Sequence, residues 1–128
     1  MLVGPAVPRS GSAWLLAAAA ACGPGEPPPR VDAPVPAEHA AGEALFDAHC
    51  AACHGERATG TGTGPPLVHR IYEPGHHGDA AFQLAVARGV RAHHWRFGDM
   101  APVPGVSPEQ VDRITGFVRW LQRQAGIE

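Results

Sequence analysis

Cys50-Ala51-Ala52-Cys53-His54 is the stretch on which the reading of this 128-residue chain turns. Two thiols two residues apart, followed at once by an imidazole, admit three chemistries. A structural zinc needs four ligands, as a rule from a second cysteine pair, and the one further cysteine is the distant Cys22. A dithiol exchange site belongs at a strand–helix junction, and no strand-like alternation leads into Cys50. The third chemistry is covalent haem attachment: the thiols add across two vinyl groups, and the adjacent histidine reaches the iron from one face. The spacing therefore predicts one haem c held by Cys50, Cys53 and His54.

Helical signals surround the motif. Residues 38–49 carry Ala41, Leu45 and Phe46 on one side of a predicted helix that leads into Cys50. A second helix is predicted near Ala80–Arg88, with Asp79 as its N-cap, Phe82, Ala85 and Val86 as its apolar positions, and Gly89 as its stop. The third is the best defined. Ser107-Pro108-Glu109-Gln110 is a capping box with proline in the first turn, and Val111, Ile114, Phe117, Val118 and Leu121 follow as an apolar stripe that Gly126 ends. No β-alternation of useful length and no internal repeat is present.

Over roughly residues 38–127 the chain resembles the class I cytochrome c family. Gly42 and Phe46 fit the family's glycine–aromatic pair on the first helix, and Ile114, Phe117 and Leu121 fit the facing positions on the last. Gly64-Pro65-Pro66-Leu67 is similar to the stretch that follows the haem motif. The resemblance implies an all-α fold, with three main helices and long loops wrapped around one covalent haem. It implies that the Pro65 carbonyl accepts the His54 Nδ1–H, leaving Nε2 for iron, and that Leu67 packs on the haem face. It also implies a distal methionine. Met100, in Gly98-Asp99-Met100-Ala101-Pro102, is the only methionine besides Met1 and stands where the family places that ligand. Ala101 intervenes where the family often has proline directly after the methionine, and His93 and His94 are rival ligands. Trp95 or a neighbouring histidine is expected to donate to a haem propionate, with Arg96 offsetting its charge.

Residues 1–21 read as an export signal: Arg9 is the positive element, and Trp14–Ala21 form a short apolar run ending in small residues. The apolar stretch Ala13–Cys22 is about half the ~20 residues of a membrane span. Cys22 follows Ala19-Ala20-Ala21 in a pattern that resembles a lipoprotein cleavage site, so Cys22 is expected to carry the lipid. Cleavage by the ordinary signal peptidase is the rival. Gly23–Pro36 holds six prolines and is expected to be an extended spacer. The predicted organisation is thus 1–21 signal, 22–37 anchor cysteine and linker, and 38–128 cytochrome c domain.

The pairs His76-His77 and His93-His94 are the feature this pattern explains least. They flank a helix of about ten residues, hence ~15 Å long, so one shared metal would require both loops to fold back. Places around the haem edge are expected for them instead. His39 and His49 are expected to be solvated, and His69 structural.

All ten cationic side chains are arginine, lysine is absent, and the net charge is −2, which offers no basic face for nucleic acid. The combined expectation is a monomeric one-electron carrier on the periplasmic side of a membrane, exchanging electrons with redox protein partners. It is not expected to be an enzyme, except as the cytochrome subunit of one. A haem sensor, a peroxidase-like enzyme and a copper-handling protein that uses His93 and His94 are the competing classes.

Overall fold

The computed structural model describes residues 1, 4 and 27–128, so Cys22 and nearly all of the expected export signal lie outside the described residues. Among the described residues four helices form: α1 (Ala37–His49), α2 (Ala51–His54), α3 (Asp79–Arg88) and α4 (Pro108–Gln124), with 3-10 turns at Glu56–Ala58 and Arg70–Tyr72. Helices α1, α3 and α4 are the three predicted ones, and α2 is a single turn made by the motif itself. Among the described residues the one isolated bridge is the antiparallel pairing of Val90 with Met100. None of these helices is long and apolar enough to cross a membrane.

Helix α4 starts where its capping box dictates. The Ser107 hydroxyl accepts the Gln110 N–H at 3.3 Å, and Gln110 Oε1 accepts the Ser107 N–H at 2.8 Å. Glu109 in the same turn is held below the usual carboxylate range by its own backbone N–H and then by Ser107. The α4 stripe crosses α1 at Gly42, where a Cβ would collide with the Arg113 carbonyl and meet Phe117 Cβ at 3.0 Å. The missing side chain lets the helices close until the fully buried Phe46 and Phe117 rings stand 5.7 Å apart. Gly42, not the exposed Ala41, belongs to the inner face of α1. His39 is also drawn inward, half-buried with its ring centroid 6.0 Å from that of Trp120.

Two expectations about boundaries are corrected. Gly78, not Asp79, is the N-cap of α3. Asp79 is its first residue, and its carboxylate is engaged by Arg119 at 2.8 Å. The linker expectation for residues 22–37 fails at its end, because Val31 is buried in the core and Ala33 and Val35 pack against it. Arg57 holds this strap, donating to the carbonyls of Val31 at 2.6 Å and Ala33 at 2.8 Å. It does so from a left-handed backbone conformation (φ 51°), as does Ala58 beside it (φ 58°), which costs about 1 kcal/mol or more per residue.

A buried polar network on α4 fastens the long loop before α3. Arg119 donates to the carbonyls of Tyr72 and His77 as well as to Asp79. Gln122, fully buried, accepts from Arg119 and donates to the carbonyls of Leu67 at 2.8 Å and Tyr72 at 3.0 Å. Buried polar groups of this kind persist only when satisfied, and these hold the loop at a defined distance from α4.

Candidate haem site

The first helix ends as the motif begins: Cys50 N–H still donates to Phe46 C=O at 2.8 Å, and α2 then turns Cys50, Cys53 and His54 toward one cavity. The segment after α2 folds back over it. Gly55, with φ +78°, reverses the chain, and Gly60 N–H caps His54 C=O at 2.6 Å. The Thr61 hydroxyl donates to Cys53 C=O at 2.6 Å, and Gly64 lies so close that a Cβ would sit 2.6 Å from the same oxygen. This return places Pro65 C=O 2.9 Å from His54 Nδ1. The carbonyl can only accept, so Nδ1 carries the proton and Nε2 keeps its lone pair. Burial lowers the His54 basicity and the Pro65 bond partly restores it, which favours the neutral, metal-ready imidazole.

The cavity has a volume of about 760 Å³, within the range of small-molecule and cofactor sites. Phe46 and Ile114 bring the α1–α4 core up to it, Leu67 and Tyr72 come from the loop, and Phe82, Ala85 and Val86 come from α3. No residue of α3 is fully buried: its apolar face lines this space, while Gln83 fastens it to α4 by donating to the Pro108 carbonyl and to Asp112. Burial, and then the neighbouring Cys53, push the Cys50 thiol up to about 11. It is therefore a protonated, neutral group at physiological pH.

Met100 lines the same cavity. Its backbone is pinned to Val90 by reciprocal hydrogen bonds of 2.9 and 2.8 Å, and Gly89 (φ +74°) leaves room for its carbonyl. Asp99 Oδ1 closes the intervening loop by accepting Ala92 N–H at 2.8 Å. Trp95 is half-buried, packed edge-on against His69 at 5.0 Å. Its indole Nε1–H is buried with no hydrogen-bond partner among the described residues, although it lies close enough to Tyr72 to oppose the burial that raises that phenol. Buried donors are rarely left so, and this one belongs to a residue of the cavity wall.

Cys50, Cys53, His54, Pro65, Leu67, Trp95 and Met100 therefore all border one cavity, whereas Arg96 is exposed and outside its lining. The donor set fits a haem: two thiols, a tautomer-fixed imidazole, a thioether, apolar walls and an unpartnered indole N–H. The exposed His49 lines the cavity as well, and His69 accepts the Ile71 N–H, a structural task. Sequence reasoning missed Arg119 and Gln122. Their trace is two polar residues inside the unbroken buried run Phe117–Gln122, where a surface helix would show its wet face.

The histidine pairs depart from expectation. The loops before and after α3 do fold back, and His76 Nε2 lies 3.3 Å from His94 Nε2. His77, His93 and His94 line the cavity, as placement around a haem edge requires, but His76 joins them from outside its wall.

No curated protein and no solved structure matches the chain significantly. A family model described as Cytochrome c matches residues 39–122, from the third residue of α1 to the last buried turn of α4. That span contains the thiol pair, His54, Pro65 and Met100, and the family binds covalently attached haem c and typically carries electrons. The chain belongs to the cytochrome c family.

Proposed function

We propose that this protein is an exported monohaem electron carrier whose iron is held between His54 and Met100, with Cys50 and Cys53 as the thioether positions. The observation that carries the reading is the Pro65–His54 hydrogen bond, which prepares Nε2 in a cavity that Met100 also lines. The haem supplies a one-electron Fe(III)/Fe(II) couple, and His/Met ligation sets it at a high potential. The chain's own contribution is an apolar enclosure, a fixed imidazole, a thioether on a braced loop and an N–H at Trp95 suited to a propionate. Cys22 is the proposed lipid attachment point, on the basis of its sequence context. Redox proteins are the proposed partners, met in the small, transient encounters usual for electron transfer.

The test is a potentiometric titration beside a carbon monoxide difference spectrum, for wild type and Met100→Ala. Wild type is expected to bind little carbon monoxide. Met100→Ala should retain haem, bind carbon monoxide, show weak peroxidase activity and have a lower potential. Full carbon monoxide binding by wild type, or identical behaviour of the mutant, would remove Met100 as ligand. His93 and His94, which line the same cavity, would become the first candidates, and the reading would move toward a sensor or enzyme.

A further inference from the structure

Four imidazoles meet at the mouth of the cavity, and the carrier function uses none of them as iron ligands. His76 and His77 come from the turn before α3, and His93 and His94 from the loop after it. One ligand nitrogen from each of His76, His77 and His94 lies within 4.8 Å of the other two. His93 stacks closest to His94, with ring centroids 4.2 Å apart, and lies 5.9 Å from His77.

We propose that His76, His77 and His94 form a binding site for a divalent transition metal that prefers nitrogen donors, zinc or copper(II), with a fourth position left to water or His93. Three observations support it independently. The first is spacing. Two nitrogens bound tetrahedrally at ~2.05 Å from one zinc stand roughly 3.3 Å apart, which is the separation of His76 Nε2 and His94 Nε2.

The second is preparation of the ligands. His77 Nδ1–H donates to Ile71 C=O at 2.6 Å, which directs its Nε2 lone pair outward in the manner of metal-binding histidines. His93 Nδ1–H donates likewise to Arg91 C=O at 2.8 Å. The His77 backbone is held in turn by Arg119 from the buried network, so one ligand is anchored to the core while the exposed His76 and His94 can adjust.

The third is charge. The cluster contains imidazoles and no carboxylate, so it lacks the hard oxygen donors that magnesium or calcium require.

The site is distinct from the haem ligands, so its fate and theirs can be read apart. Untagged, chelator-treated holoprotein is titrated with zinc chloride, and separately with copper(II) chloride, by calorimetry. One ion per chain with micromolar or tighter affinity is expected. His76→Gln, at an exposed position outside the cavity wall, should weaken binding ~100-fold while the haem spectrum is unchanged, and His94→Gln should weaken it as much. Absence of stoichiometric binding to wild type overturns the proposal, as does binding that survives the double variant His76→Gln/His94→Gln. In either case the four rings serve the cofactor's edge alone.

Discussion

Trp95 is the residue whose chemistry the sequence foretold least firmly and the fold leaves most exposed to test. Its indole N–H is buried without an acceptor among the described residues, so Trp95→Phe removes a donor that the polypeptide does not use. Folding with haem bound should therefore persist. The potential should fall by tens of millivolts, because a propionate left without its donor places more negative charge beside the iron. Redox titration of the two holoproteins checks this, and equal potentials would show that the N–H meets no propionate. That Cys50, Cys53, His54 and Met100 would face one cavity was legible because thiols, an adjacent imidazole and a lone internal methionine are chemically conspicuous. The orphaned donor was not, since an unmet hydrogen bond is a property of a surrounding wall. The histidine meeting was invisible for a similar reason: periodicity describes the helix between the pairs but not how its two flanking loops return.

At the level of elements, the α1–α4 contact rests on a single absent methyl group. Gly42→Ala should destabilise the holoprotein by about 1–3 kcal/mol, because the new Cβ meets the Arg113 carbonyl, which belongs to a rigid helix. Urea unfolding followed by circular dichroism would read it, and an unchanged midpoint would mean the helices can part without cost. The α4 network makes a parallel expectation. Gln122→Leu keeps the volume but leaves the Leu67 carbonyl without its donor, at about 1–3 kcal/mol. Helix α4 was readable from end to end because its cap, stripe and stop are all local. The start of α3 was misplaced by one residue because Asp79 is recruited by Arg119, forty positions away. Arg119 and Gln122 look like surface residues to any local rule, and their burial follows from the loop they hold.

For the molecule as a whole, the cavity of about 760 Å³ lies at the junction of α1, α3, α4 and the loops, so its occupant would be shared by all of them. The double variant Cys50→Ala/Cys53→Ala should release haem into acid acetone, and the resulting apoprotein should lose most of its helical circular dichroism. Retention of helix would show that the α1–α4 contact is self-sufficient. Release of the native protein from membranes by Cys22→Ser, followed by detergent partitioning, tests the anchor, and partitioning equal to wild type would refute lipidation at Cys22. The fold class was legible from the motif and its flanking helices. The N-terminal border was not: proline-rich composition reads as spacer, whereas the docking of Val31 depends on Arg57, 26 residues downstream and in an uncommon backbone conformation.

That docked strap sets a radius. If the chain is tethered at residue 22, the span from there to the docked Val31 is at most about 30 Å. The folded head is then confined to a hemisphere little deeper than a small domain is wide. Collisions with a partner in the same membrane become encounters in a thin layer, with their frequency fixed by leash length. Inserting residues before Pro27 would lengthen that leash without touching the fold, which makes turnover with a membrane-bound partner a measurable function of contour length.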